Sequence, residues 1–320
     1  MDTQAAHYAG RLWLQTDAAF GVREVPLVLP KSAAPVPGKS VARKDQNVAP
    51  RAQVAQRPAT LISRAPKMDE GPPPEVRRTV TAKTDSPTAQ HQGVDIARSV
   101  KLPPIPDGDI AALAPISDAD KPRLLAELQQ ETATALAPYI SDIATQVVFG
   151  SGDPAAKLMF VGEGPGVEED KTGVPFVGRS GQLLDKMIIA MGLSRQTVYI
   201  GNVVKLRAAD PDPDSGRLRD RPPTPAEVAL NIPWLHKQIE IIRPQVIVTL
   251  GAPALKYLTG TVEGISRQRG TWMTYRGVPL MPTYHPSFLL RAYTPENRAK
   301  VWGDLQQVMA KLGLKPTIQK

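Results

Sequence analysis

No cysteine occurs anywhere in the 320 residues, which excludes disulfides and every thiolate-bound metal or cluster. Only four histidines are present. They lie far apart, and no His/acid group has metal-ligand spacing. Long apolar runs are also missing: none approaches the roughly 18 residues of a membrane span. The N-terminus lacks a basic segment followed by an apolar one. A cytoplasmic protein with no metal and no membrane attachment is the expectation. Aromatic residues make up only 5%, so each one placed near a turn is a candidate for a specific task.

Proline, by contrast, is abundant at 33 residues, and it is unevenly placed. From about Pro30 to Pro115 the chain shows no sustained helical or strand period and little to bury, the pattern of a disordered segment. Three parts are expected: a short helical segment over 1–29, a Pro/Ala-rich disordered linker over 30–115, and a folded α/β domain over 116–320. In the first, Leu12, Leu14, Ala18 and Phe20 share a face too short to fold alone. It either docks on the main domain or binds a partner.

The net charge is +8. Residues 121–320 carry 24 Lys+Arg against 18 Asp+Glu, so most of the excess sits on the part that folds. A basic surface there suits a polyanion such as nucleic acid, or is simply a solvating surface.

A helix is expected in "SDADKPRLLAELQQETATALAPYI", capped by Ser117 or Asp118. From Lys157 onward, the apolar runs "KLMFVGE", "VYIGNVV", "QVIVTLG" and "PLMPTYHP" alternate with helical patterns. Runs apolar on both faces imply a mostly parallel sheet covered on two sides. The expected fold is a three-layer α/β/α sandwich around a central four-stranded sheet. Ligands in such folds sit beyond the carboxyl ends of the strands, which selects "GEGPG", "NVVK", "LGAPA" and "HPSFLLR".

Gly162, Gly164 and Gly166 are spaced G-x-G-x-G, which is not the dinucleotide fingerprint, and no Gly-Lys-Ser/Thr follows. Such glycines permit close approach of the backbone to a flat ligand or a sugar. Glu163 ends a strand inside this turn, where a carboxylate can orient a water or stabilise positive charge on a sugar ring. Glu168, Glu169 and Asp170 follow, either as a solvated loop or as part of the site. Phe176, flanked by glycines in "GVPFVG", is expected at an exposed tip suited to base stacking, with burial as the alternative. Asn202 offers a donor and an acceptor, enough to pair with a carbonyl and a ring N–H on the edge of a base, or it caps a turn. His285, ahead of Pro286, could donate to an anion forming on a leaving group. Leu289, Leu290 and Arg291 could wedge into a base stack and hold a phosphate, or the leucines could pack a helix.

The ordered motifs "GEGPGVEEDKTGVPFVGRSGQLLD", "GNVVK", "PTPAEV", "QIEIIRPQVIVTLG" and "YHPSFLLR" resemble the family 4 uracil-DNA glycosylases, over about Val147 to Leu314. The resemblance implies hydrolysis of the bond between uracil and deoxyribose in DNA, leaving an abasic site, with the nucleotide flipped into a pocket. It implies Glu163 and His285 as catalytic groups supported by Glu169 or Asp170, and Gly164, Phe176 and Asn202 as uracil-binding. Arg179, Ser287, Leu289, Leu290 and Arg291 would contact DNA. A monomer, monofunctional in base excision repair, is the expectation; the alternatives are a binding protein that holds uracil or abasic DNA without cutting, and a tethered repair adaptor. Family members typically hold an iron-sulfur cluster, thought to be structural, on four cysteines. Here the later two positions fall at Leu206 and Asn231, and the earlier pair near Ala135 and Pro138. No cluster is expected, and Leu206 with its apolar neighbours is expected to pack in its place.

Overall fold

The computed structural model describes residues 101–315. The segment expected over 1–29, and the linker up to residue 100, lie outside the described residues. Helix α1 (Lys121–Leu136) comes first. The chain then forms β1 (Ser151–Gly152), β2 (Leu158–Gly162), α2 (Val167–Thr172), α3 (Arg179–Ala190) and β3 (Tyr199–Asn202). A hairpin of β4 (Ala209–Pro211) and β5 (Leu218–Asp220) precedes the long α4 (Pro225–Ile242). After it come β6 (Val246–Leu250), α5 (Ala252–Thr259), α6 (Ile265–Gln268), β7 (Met273–Tyr275), β8 (Val278–Thr283), α7 (Pro286–Arg291) and α8 (Pro295–Lys311).

The main sheet has the order β1-β3-β2-β6-β8-β7. Its four central strands, β3, β2, β6 and β8, run parallel and coincide with the four apolar runs. The expected four-stranded sheet is thus a six-stranded one, because β1 and β7 add antiparallel edges. Two residues and three residues are too short to produce a readable alternation.

Side-chain alternation explains the three layers. On β2, Met159 and Val161 enter one core cluster, shared with α1, α4 and α5, while Leu158 and Phe160 enter the other, shared with α3, α7 and α8. Leu280 and Met281 on β8 divide in the same way. Strands buried on both faces leave no polar alternation, which is why they read as continuous apolar runs.

Helix α4 begins with a capping box. The Thr224 hydroxyl accepts from the Glu227 N–H at 3.2 Å, and the Glu227 carboxylate accepts from the Thr224 N–H at 2.7 Å. Helix α1 starts later than expected. Ser117 instead closes the preceding turn, accepting from the Asp120 N–H, and Asp118 pairs with Lys121 at 2.8 Å.

Residues 101–115 correct the linker boundary. Ile110 is in the core, with Leu102, Ile105 and Leu113 packed against it. Arg276 donates to the Gly108 carbonyl at 3.0 Å, and Arg243 donates to the carbonyls of Leu113 and Ala114. Proline density hid this segment, since an extended strap buries side chains without any regular period.

Candidate active site

A cavity of about 610 Å³ opens beyond the carboxyl ends of β2, β3 and β8. Its walls are the loop after β2, the segment around Phe176, the base of the β4–β5 hairpin, and the start of α7.

Glu163 leaves β2 directly into this cavity. Its Oε1 is buried without a hydrogen-bond partner, and burial raises its pKa above the ordinary carboxylate value. A buried acceptor with no protein partner is a ready place for a water or a substrate group. Gly164 also lines the cavity.

Phe176 lines it too, but not at an exposed tip: the residue is 5% exposed. Its backbone has φ of 55°, an unusual conformation for a residue with a side chain. Two glycines allow it. A Cβ on Gly181 would lie 1.7 Å from the Phe176 carbonyl oxygen, and a Cβ on Gly162 would lie 2.5 Å from the ring and 2.4 Å from Asn202 Oδ1. The glycines therefore make room for protein side chains and main chain. Arg195 ties the loop down, donating to the carbonyls of Pro175 and Phe176.

The acidic run is a short helix, not a loop, and its members separate. Glu168 is exposed and pairs with Lys171 at 2.9 Å. Glu169 accepts from the N–H groups of Gly166, Val177 and Gly178 at 3.1, 2.8 and 2.9 Å. It therefore clamps the Glu163 loop to the Phe176 loop, and it also lines the cavity. Asp170 is not among the cavity-lining residues. It is buried and accepts from the N–H and hydroxyl of Thr145, each at 2.8 Å. The structure thus places Asp170 outside the cavity, with both carboxylate oxygens engaged by Thr145.

Asn202 ends β3 in register with Gly162. It is 1% exposed, and its Oδ1 lacks a partner. This unpaired acceptor sits where the Phe176 ring edge reaches the Gly162 α-carbon, at the back of the site and not in its lining.

His285 caps α7. Its Nδ1 accepts from the Ser287 N–H at 3.1 Å, so the neutral ring carries its proton on Nε2. Burial and then Arg291 push its pKa down to about 4. Its ring centroid lies 5.6 Å from that of Phe176. Arg179, Ser287 and Arg291 share the cavity lining. Leu290 is 37% exposed beside them, whereas Leu289 is 1% exposed in the core cluster under α7. Leu289 is thus a packing residue, and the expected wedge is reduced to Leu290.

The hairpin wall was not anticipated. Ala208, Asp220, Arg221 and Pro223 line the cavity. Arg207 pairs with Asp220 at 2.7 Å, and Arg221 pairs with Asp210 at 2.9 Å and with both oxygens of Glu227 at 2.8 Å. The tip "PDPDSG" carried a turn signal, and Asp212 closes that turn, accepting from Ser215 at 3.0 Å.

The residues at the expected cluster positions do not fit an iron-sulfur group. Leu206 packs with Leu136 and Ala144, flanked by Val147, Leu230 and Trp234. Asn231 accepts from the Lys205 N–H and donates to the Glu227 carbonyl, both at 2.8 Å. Ala135 and Pro138 are exposed. Aliphatic side chains, and an amide already bonded to main chain through both its oxygen and its nitrogen, offer no thiolate ligand to iron. Among the described residues, no group of three or more His, Asp or Glu could hold a metal ion, and no helix is long and apolar enough to cross a membrane.

The same residues can be compared with known proteins. The Uracil DNA glycosylase superfamily profile matches residues 149–306. A type-4 uracil-DNA glycosylase of Thermotoga maritima is 45% identical over 165 residues, covering 51% of this chain and 81% of that protein. A type-4 enzyme of Sulfurisphaera tokodaii is 35% identical over 193 residues, covering 58% and 83%. One from Archaeoglobus fulgidus is 37% identical over 183 residues, covering 54% and 86%. With the parallel sheet, the Glu163 turn and the His285 cap all inside the matched region, the chain belongs to the uracil-DNA glycosylase superfamily, among relatives of type 4.

Proposed function

We propose that the protein hydrolyses the N-glycosidic bond of uracil in DNA, leaving an abasic site for base excision repair. The observation that carries this reading is the meeting, in one cavity, of Glu163 with an unpaired oxygen and His285 with its proton fixed on Nε2.

A nucleotide flipped from the stack would lay its base along Phe176. Asn202 Oδ1 would accept from N3–H of uracil; cytosine presents a lone pair at that position and is disfavoured. As the bond to C1′ breaks, electrons pass to the departing base, and the Nε2–H of His285 would donate to the anion forming on its O2. Glu163 would orient water toward C1′ and stabilise the positive charge spreading over the sugar ring. Arg179 and Arg291 at the rim supply cations for phosphate. The enzyme is read as monomeric, cytoplasmic and independent of a bound cofactor.

Labelled uracil-containing DNA, incubated with wild type or with His285→Ala and then treated with alkali, tests the reading. Strand breaks are expected with wild type and strongly reduced ones with the variant. Tight binding without any breaks would replace this reading by one of a uracil-DNA binding protein.

A further inference from the structure

Lys205 is fully buried three residues beyond the end of β3. Its Nζ donates to the Asn202 carbonyl oxygen at 2.9 Å and to Gln238 Oε1 at 2.6 Å, with the Phe149 ring centroid 6.0 Å away. Among the described residues no ion pair supplies it with a carboxylate. Gln238, on α4, is itself fixed, donating to the Phe149 carbonyl at 2.9 Å and to the Tyr199 hydroxyl at 3.1 Å. The Lys205 main chain is held as firmly: its N–H donates to Asn231 Oδ1 and its carbonyl accepts from the Val148 N–H, each at 2.8 Å.

Burying an amine without a counter-charge is costly, and here burial lowers its pKa to about 7. A methionine would fill the same space without that cost, so what the amine alone provides is donation. The two acceptors match the two N–H bonds that even a neutral amine keeps. The hold therefore persists whichever protonation state is present.

What it holds is the floor of the site. The Val203 N–H donates to the Gly162 carbonyl and the Val204 N–H to the Glu163 carbonyl, both at 3.0 Å. The exits of β2 and β3 are thus stitched together, and Lys205 reaches back to fasten the Asn202 end of the stitch to α4. We infer that Lys205 is a positioning residue, which through the Asn202 carbonyl sets the place of the Asn202 amide and the Glu163 main chain without touching the substrate and without acting as a nucleophile. This rests on reading the cavity as the uracil-excision site.

The test compares wild type, Lys205→Met, Gln238→Leu, Asn202→Ala and the Lys205→Met/Asn202→Ala pair. Two measurements are made: single-turnover uracil excision, and amide hydrogen exchange. Lys205→Met is expected to slow excision about tenfold to a hundredfold, and Gln238→Leu by less. The double variant should lose less than the product of the two single losses, since coupled residues are non-additive. Exchange at Val203 and Val204 should quicken in Lys205→Met, with α8 amides unchanged. Should Lys205→Met not fold, Gln238→Leu carries the same comparison with the lysine intact.

Unchanged excision together with unchanged exchange would overturn the inference. So would losses that multiply in the double variant, or borohydride trapping of a DNA adduct on wild type that vanishes in Lys205→Met. If wild type excises no uracil, the functional reading fails by itself, and exchange at Val203 and Val204 still decides whether the lysine holds the floor.

Discussion

The main-chain N–H of Ser287 donates to Nδ1 of His285 at 3.1 Å, and the Ser287 hydroxyl lies 2.8 Å from the same nitrogen. The backbone bond alone fixes the tautomer. His285→Ala should lower the rate of excision by about 10²–10³-fold, the usual cost of losing one donor to a developing anion. Ser287→Ala keeps the backbone donor and should cost less than about tenfold on the same scale. Single-turnover rates of the two variants check both numbers. Equal losses would mean that the hydroxyl and not the amide orients the ring.

Two histidines tie stability to acidity. His285 is pushed down to about 4 by burial and then Arg291, and His236 to about 4 by burial and then Arg276. In the unfolded chain both take up protons near the ordinary value of 6.5. Between pH 6.5 and about 4 the unfolded state therefore binds more protons, and stability falls as pH drops through that window. Urea midpoints at pH 7, 5.5 and 4.5 should decline in wild type and decline less steeply in His236→Phe or His285→Ala.

Burial of Glu163 places its titration above the ordinary carboxylate value, and the group must be ionised to orient water. The acid limb of kcat/KM should follow it, with activity lost as pH falls below that raised pKa. Glu163→Gln should abolish the limb and slow excision by about 10²–10⁴-fold. A limb that survives in the variant belongs to another group.

Neighbouring leucines should behave oppositely. Leu289 lies in the core, and truncation to alanine should cost about 2–5 kcal/mol. Leu290 is partly exposed on α7, next to the cavity-lining Arg291, so Leu290→Ala should change stability by less than about 0.5 kcal/mol while weakening binding to uracil-containing duplex. Denaturant midpoints and DNA titrations separate the two.

The apolar corner around Leu206 makes a chemical prediction. Carefully purified protein should contain iron and labile sulfide far below stoichiometric amounts, and strong chelators should leave its melting temperature unchanged. Leu206→Asp, which puts an unpaired carboxylate against Leu136 and Ala144, should lower the melting temperature by many degrees.

Much of this architecture could be read in advance, because the decisive signals are local. The four apolar runs are the four parallel strands, and their carboxyl ends supply Glu163, Asn202 and His285. Features set by distant residues could not be read this way. Phe176 is buried because Gly162 and Gly181 vacate space for it, and nothing in "GVPFVG" reports on either partner. The acids at 168–170 look alike in sequence, yet their tasks depend on whether Lys171, three backbone amides or Thr145 lies opposite. Leu289 and Leu290 are adjacent and chemically identical, and only the helix rotation tells core from rim. The strap over 102–114 escaped because its anchors, Arg243 and Arg276, come more than a hundred residues later.

Leu206 and Asn231 also determine what this corner requires from the cell. Its contacts are aliphatic packing and amide hydrogen bonds to the main chain, all carried by the polypeptide itself. The chain has no thiol for peroxide or nitric oxide to modify, so a change at this corner acts through packing and hydrogen bonding.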